Sequence, residues 1–210
     1  MVVDRYLAAA EIQQTRLNGA LMEVDIEASV PKLKRRGRLH ALRRISQLGR
    51  ITYELLRFEG DKSVKSEVIA RYLTAESEPR DSAKTSLAVT PANYKFRYKG
   101  LTDAAGRVAH VFQVTPRKKR VGLFNGELWI DSETALPLRE AGRFVKTPSI
   151  FLKRVEFVRE YEIRDGVAVP LRLETTVDTR LVGKAMLSVA FHSVSLPEAP
   201  LAPVVAGDSQ

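Results

Sequence analysis

Residues 22–30 read Met22-Glu23-Val24-Asp25-Ile26-Glu27-Ala28-Ser29-Val30. Apolar residues alternate with acidic or hydroxyl residues without a break. Successive strand residues point to opposite faces, so this is a β-strand with one buried and one wet face. After Pro31 a second extended segment puts Gly37, Leu39, Ala41 and Ile45 on one parity and Arg36, Arg38, His40 and Arg44 on the other. The two segments are expected to form a hairpin. With their apolar faces together, the basic row lies across from Glu23, Asp25 and Glu27, within reach of cross-strand pairing.

Upstream, Val3, Tyr6, Leu7, Ala10, Gln14 and Leu17 follow helical spacing, and Asn18-Gly19 supplies a stop, which predicts an amphipathic helix over 3–18. Downstream, residues 50–58 extend the meander and Gly60-Asp61 ends it. Val64, Val68, Ile69 and Tyr72 then lie on one side of a second helix over 63–74, with Asp61 or Ser63 as its cap. Residues 76–93, with Pro79 and Pro91, read as a loop. From Tyr94 onward strand follows strand, each keeping its apolar residues to one parity: Tyr94, Phe96, Tyr98; Val108, Phe112, Val114; Phe124, Leu128, Ile130; Val155, Phe157, Tyr161, Ile163; Val167, Val169, Leu173; Ala185, Leu187, Val189, Phe191. Asp165-Gly166 is the strongest hairpin turn among them. Residues 1–196 read as one domain, and the Pro-rich 197–210 as a flexible tail.

The composition bounds the function. About 44% of the 210 residues are apolar and 28% charged, which suits a globular core. No apolar run is long enough to cross a membrane as a helix. Cysteine is absent, which removes disulfides, thiol catalysis and Cys-ligated zinc. Met1–Tyr6 lacks a charged segment followed by an apolar one, so no signal peptide is expected at this start. The formal charge of +9 is local: residues 31–50 carry Lys32, Lys34, Arg35, Arg36, Arg38, Arg43, Arg44 and Arg50 and no acid.

Little in the chain points to catalysis or a cofactor. His40, His110 and His192 are far apart and read as strand histidines, and no metal-ligand spacing or phosphate-cradling glycine loop is found. Glu127 and Asp131 flank Trp129, and Glu156, Glu160 and Glu162 line another strand; both sets fall on the polar parity and are expected to be solvated. Trp129 on that parity must be covered, by a helix or by Leu136-Pro137-Leu138. Tyr94-Lys95-Phe96-Arg97-Tyr98-Lys99 mixes cations with aromatics, but alternation sends rings and charges to opposite faces, which disfavours stacking on a nucleic acid and leaves contact with an anionic membrane surface open. The larger issue is burial: nine or ten antiparallel strands share one apolar face that two short helices cannot fully cover. The outcome is either an exposed apolar surface that binds a greasy ligand or partner, or a packed closed barrel.

Three segments then carry a family resemblance. Phe112-Gln113-Val114-Thr115-Pro116-Arg117-Lys118, Gly126-Glu127-Leu128-Trp129-Ile130-Asp131 and Thr134-Ala135-Leu136-Pro137-Leu138-Arg139 resemble the LolA-like outer-membrane lipoprotein-sorting proteins, whose fold is shared by LolB and the RseB/MucB sensors. The diagnostic part is 110–140, a strand ending in W-I-D followed by a T-x-L-P-x-R strand. The resemblance implies a mainly β (α+β) fold, an incomplete antiparallel β-barrel of nine to ten strands with an N-terminal helix and a lid-like helix. It implies a non-enzymatic, extracytoplasmic protein that binds lipid or an acylated lipoprotein, with an envelope membrane protein as a possible partner and no cofactor. Phe96, Tyr98, Phe112, Leu128, Phe157, Tyr161 and Leu173 are the lining candidates, and Val64, Val68, Ile69 and Tyr72 the lid candidates. A protein-interaction module using the same face or a strand edge is the alternative, and a basic nucleic-acid module a more distant one.

Overall fold

In the computed structural model, which describes residues 1–77, 87–147, 151–180 and 182–197, ten antiparallel strands form one open sheet. The strands are β1 (Leu21–Val30), β2 (Arg35–Ile45), β3 (Ile51–Gly60), β4 (Tyr94–Ala104), β5 (Arg107–Pro116), β6 (Phe124–Asp131), β7 (Pro137–Phe144), β8 (Leu152–Arg164), β9 (Val167–Thr179) and β10 (Lys184–Ser195). Their spatial order is β3-β2-β1-β10-β9-β8-β7-β6-β5-β4, so the first hairpin is joined to the rest of the sheet through β1 against β10. The sheet does not close, and among the described residues β3 and β4 are its free edges.

The parity read in the sequence decides which face is covered. Met22, Val24, Ile26, Ala28 and Val30 of β1 are all buried, as are Leu39, Ala41 and Ile45 of β2 and Ala185, Leu187, Val189 and Phe191 of β10. One cross-strand row traverses the whole sheet on this inner face: Phe58, Leu39, Ile26, Val189, Leu173, Arg159, Glu140, Leu128, Phe112 and Tyr98. Burying such a row contributes about 1.5–3 kcal/mol for each fully covered large side chain. Two adjacent members, Arg159 and Glu140, are charged.

Two helices lie on the inner face. Helix α1 (Val2–Arg16) seats the buried Tyr6 and is tied at both ends to turns of the sheet. Arg5 donates to the Glu133 carbonyl at 2.6 Å, and Gln13 both donates to and accepts from the Ala168 backbone, at 3.0 and 3.1 Å. Helix α2 follows β3 as one continuous rod in three pieces, α-helical over Lys62–Val64, π-helical over Lys65–Ile69 and α-helical over Ala70–Ser77. Asp61 caps it by accepting from the N–H groups of Ser63 and Val64, which offsets two of the donors a helix start leaves unpaired. The Ser63 hydroxyl also donates to Asp61, and these bonds hold the Asp61 carboxyl below its ordinary range. α2 extends past the expected end at residue 74; residues 78–86, where the Pro79 loop was expected, and 198–210, most of the expected tail, lie outside the described residues.

The turns bear out their chemistry. Asp165 and Gly166 both have positive φ, 52° and 69°, as the two-residue hairpin that suits the twist of the strands requires. Gly126 and Gly142 face each other across β6 and β7, and a Cβ on Gly126 would lie 2.0 Å from the Ala141 carbonyl oxygen. Only glycine fits there.

Candidate functional site

The W-I-D and T-x-L-P segments meet as the tight connection between β6 and β7. Asp131 is 1% exposed and organises it. Its carboxylate accepts from the Thr134 N–H at 2.9 Å, the Thr134 hydroxyl at 2.7 Å and the Arg107 guanidinium at 3.2 Å. Burial alone would raise its pKa; the Thr134 bonds and then Arg107 overcome this and hold it below the ordinary aspartate value. Asp131 is therefore not on a solvated face, as its parity suggested: the turn that follows bends it inward. Ala135 takes φ 59° to complete the turn. Trp129 is half-buried. The Arg139 guanidinium stacks over its ring at 4.9 Å, and its Nε1–H donates to Glu127 at 3.1 Å. The most recognisable motif of the chain is thus scaffold.

The inner face between β4 and β8 is aromatic. Phe124 packs edge-on against Phe157, with centroids 4.9 Å apart, and Phe157 touches Phe144 at 5.3 Å and Phe124 touches Tyr94 at 5.6 Å. Nearer the edge, Phe112 contacts Tyr98 at 5.3 Å and Phe96 at 6.2 Å. Such pairs contribute about 0.5–1.5 kcal/mol beyond their area. All seven lining candidates lie on the inner-face parity, six of them between β4 and β8 and Leu173 on the neighbouring β9. Phe112, Leu128, Phe157 and Leu173 are buried, Phe96 is half-buried, and Tyr98 is 53% exposed at the rim. Tyr161 differs in character, since its hydroxyl is hydrogen-bonded to Arg159 and Glu140, and burial pushes its pKa well up. Of the lid candidates, Val64 and Ile69 are buried, and Val68 and Tyr72 pack on the core from α2.

Two polar clusters sit inside this apolar surface, and neither was anticipated. Arg159 and Glu140 pair at 3.2 Å in the middle of the cross-sheet row. Tyr161 first, then Glu140 and Glu76, hold Arg159 protonated against the opposing effect of burial. The Tyr6 phenol of α1 is raised mainly by burial, with Glu140 and Tyr161 adding to it. The second cluster is Arg43 of β2, buried between the Met22 sulfur at 3.5 Å and Glu76 of α2 at 3.5 Å, with its guanidinium over the Phe191 ring. The Tyr53 and Tyr72 hydroxyls border it, both raised by burial. The sequence did carry a signal: Arg43 shares parity with Leu39, Ala41 and Ile45, and Arg159 with Val155, Phe157 and Tyr161.

On the outer face the histidines are not isolated. His40 Nδ1 and His192 Nε2 lie 3.2 and 3.5 Å from Asp25, which also accepts from Arg38 at 3.1 Å. Burial would raise Asp25, and the bonds from His40 and Arg38 lower it instead. Arg38 also approaches Glu27 at 3.7 Å, so Arg38 and His40 meet the acidic row of β1 as the hairpin register predicted, whereas Arg44 pairs with Glu54 of β3. Among the described residues no group of three or more His, Asp or Glu side chains is arranged to hold a metal ion.

These features define a class: an open ten-stranded antiparallel sheet with an aromatic, helix-covered inner face. Residues 61–159, from the start of α2 into β8, match the family model of the MucB/RseB N-terminal domain, in agreement with the resemblance carried by residues 110–140. Solved structures similar to the chain include a DUF1329 family protein from Desulfovibrio piger, at 12% identity and TM-score 0.46 over 96% of this chain and 93% of that one. Others are a LolA superfamily protein from Nitrosomonas europaea, at 11% identity and TM-score 0.43 over 94% of each chain, and the MucA/MucB complex of Pseudomonas aeruginosa, at 13% and 0.31 over 93% of this chain and 100% of that one. No curated protein matches the chain.

Proposed function

We propose that the protein is a non-enzymatic, extracytoplasmic carrier or sensor that takes the acyl chain of a lipid or acylated protein against the inner face between β4 and β8. The observation that supports this is the gradient of burial along that face: Phe112, Leu128 and Phe157 are buried, Phe96 is half-buried, and Tyr98 is open at the rim. An acyl chain entering there gains about 0.8 kcal/mol for each methylene it buries. It extends inward as α2 moves, with Val64, Val68, Ile69 and Tyr72 as the surface that lifts. The match to the MucB/RseB domain supports a role in the envelope.

The test is native mass spectrometry after incubation with phosphatidylglycerol and with a diacylated lipopeptide, on the wild type and on Tyr98→Asp. Tyr98 is exposed enough for the charge to be tolerated. A one-to-one adduct on the wild type that falls at least ten-fold in Tyr98→Asp supports the reading. An unchanged apo mass with both ligands overturns it in favour of a protein-interaction module, the reading suggested by the free strand edges.

A further inference from the structure

The two free edges of the sheet differ in chemistry. β3 carries acids and bases together, Glu54, Arg57 and Glu59, and its ladder is interrupted at Leu55, which has φ 52°. A bulged, charge-mixed edge is blunted against pairing. β4 keeps an unbroken register from Tyr94 to Tyr98, and its outward residues Lys95, Arg97 and Lys99 are exposed and cationic, with no ion-pair partner among the described residues.

The backbone of β4 is equally one-sided. Arg117 N–H donates to the Asn93 carbonyl at 2.8 Å, which marks that pair, and by antiparallel alternation Lys95 with Thr115 and Arg97 with Gln113, as the hydrogen-bonded ones. The N–H and C=O groups of Phe96 and Tyr98 therefore point to the open side, where no described strand pairs with them. Beside this edge the outer face has a depression of about 460 Å³ lined by Lys95, Phe96, Arg97, Gln113, Thr115 and Asn125, without a carboxylate.

The molecule already contains the strand that fits such an edge. β2 has the same alternation, basic outside and apolar inside, and its neighbour β1 answers it with Asp25 and Glu27 outside against His40 and Arg38 and with Ile26 inside against Leu39. We propose that the edge of β4 accepts an extended acidic segment of another polypeptide as an eleventh strand. In that segment acids alternate with apolar residues: the acids pair with Lys95 and Arg97, the apolar residues lie beside Phe96 and Tyr98, and its backbone bonds to the N–H and C=O of those two. Strand addition takes affinity from main-chain bonds and specificity from alternate side chains. The segment shares the Phe96–Tyr98 rim with the proposed acyl ligand but takes its charge preference from Lys95 and Arg97 on the opposite face, so the charge reversal at those two residues tests this reading apart from the acyl one.

The probe is a capped nine-residue peptide with glutamate at alternate positions and valine or threonine between, compared with the same peptide carrying lysine for glutamate. Binding is followed by fluorescence anisotropy and by amide hydrogen exchange on the full chain. We expect the acidic peptide to bind at least ten-fold tighter than the basic one, with protection appearing at the Phe96 and Tyr98 amides. Lys95→Glu/Arg97→Glu reverses the preference. Tyr98→Pro removes an outward donor without touching the β5 ladder and lowers affinity at least ten-fold, while Tyr98→Val keeps it. If Tyr98→Pro does not fold, the charge reversal decides alone. Equal affinity for both peptides, protection elsewhere, or binding only to phosphatidylglycerol vesicles overturns the proposal.

Discussion

Replacing Asp131 by Asn asks whether the motif that marks this chain is a binding site or a beam. The asparagine oxygen keeps the bond from the Thr134 N–H, and what is lost is the charge on two contacts, the Thr134 hydroxyl at 2.7 Å and Arg107 at 3.2 Å. A hydrogen bond to a charged group contributes about 1.5–3 kcal/mol. The Arg107 contact is discounted because its side chain is 39% exposed, where solvent leaves an ion pair about 1 kcal/mol or less. Together they give about 2–3 kcal/mol, which in a chain of this length lowers the melting midpoint by about 5–10 °C. The Asp131 pKa is depressed on folding, so its stabilisation is fully present above the unfolded value of about 3.9 and is lost as pH falls through the lower folded value. Thermal unfolding of wild type and Asp131→Asn from pH 7 downward is therefore expected to show two curves that converge in acid, while ligand uptake well below the midpoint is unchanged. Equal stability at pH 7, or a gap that persists at the acid end, refutes the reasoning.

Glu76→Gln removes the charge facing Arg43, and amide exchange over residues 70–77 should accelerate at least ten-fold, about 1.4 kcal/mol of local stability. Unchanged exchange would show that apolar packing alone holds α2. Gly126→Ala places a Cβ against the Ala141 carbonyl oxygen, and about 3 kcal/mol or more of stability should be lost in denaturant unfolding; a midpoint within error of wild type would mean that β6 and β7 are further apart than described.

The alternation in residues 22–30 and 35–45 was enough to place the first hairpin, its buried face and the neutralisation of Arg38 by Asp25 and Glu27, because those facts depend on a local register. The union of β1 with β10 depends on strands some 160 residues apart, and no local pattern encodes it. The position of His192 beside Asp25 follows from that union, which is why the histidines read as isolated. Asp131 misled for a different reason: parity assigns a face only while the strand continues, and here the chain turns at that residue. Arg43 and Arg159 were legible and overlooked, since a cation on the apolar parity of a strand needs a buried partner.

Those partners bear on how the proposed lid moves. A buried ion pair gives up nearly as much hydration as it gains in attraction, so its net contribution to holding two elements together is small compared with hydrocarbon of similar volume. Arg43 with Glu76 fixes where the end of α2 docks, while the apolar contacts of Val64, Ile69, Val68 and Tyr72 supply the holding energy. When α2 lifts, Glu76 returns to water and recovers its hydration, so this end of the helix separates at lower cost than an all-leucine contact would. The π-helical turn over Lys65–Ile69 lies between the capped, tightly seated start of α2 and this charged end. Such turns are frequent at functional sites, and in the proposed carrier this one is where the helix bends, with residues 70–77 swinging furthest and Val64, Val68 and Ile69 lifting less about the Asp61 cap.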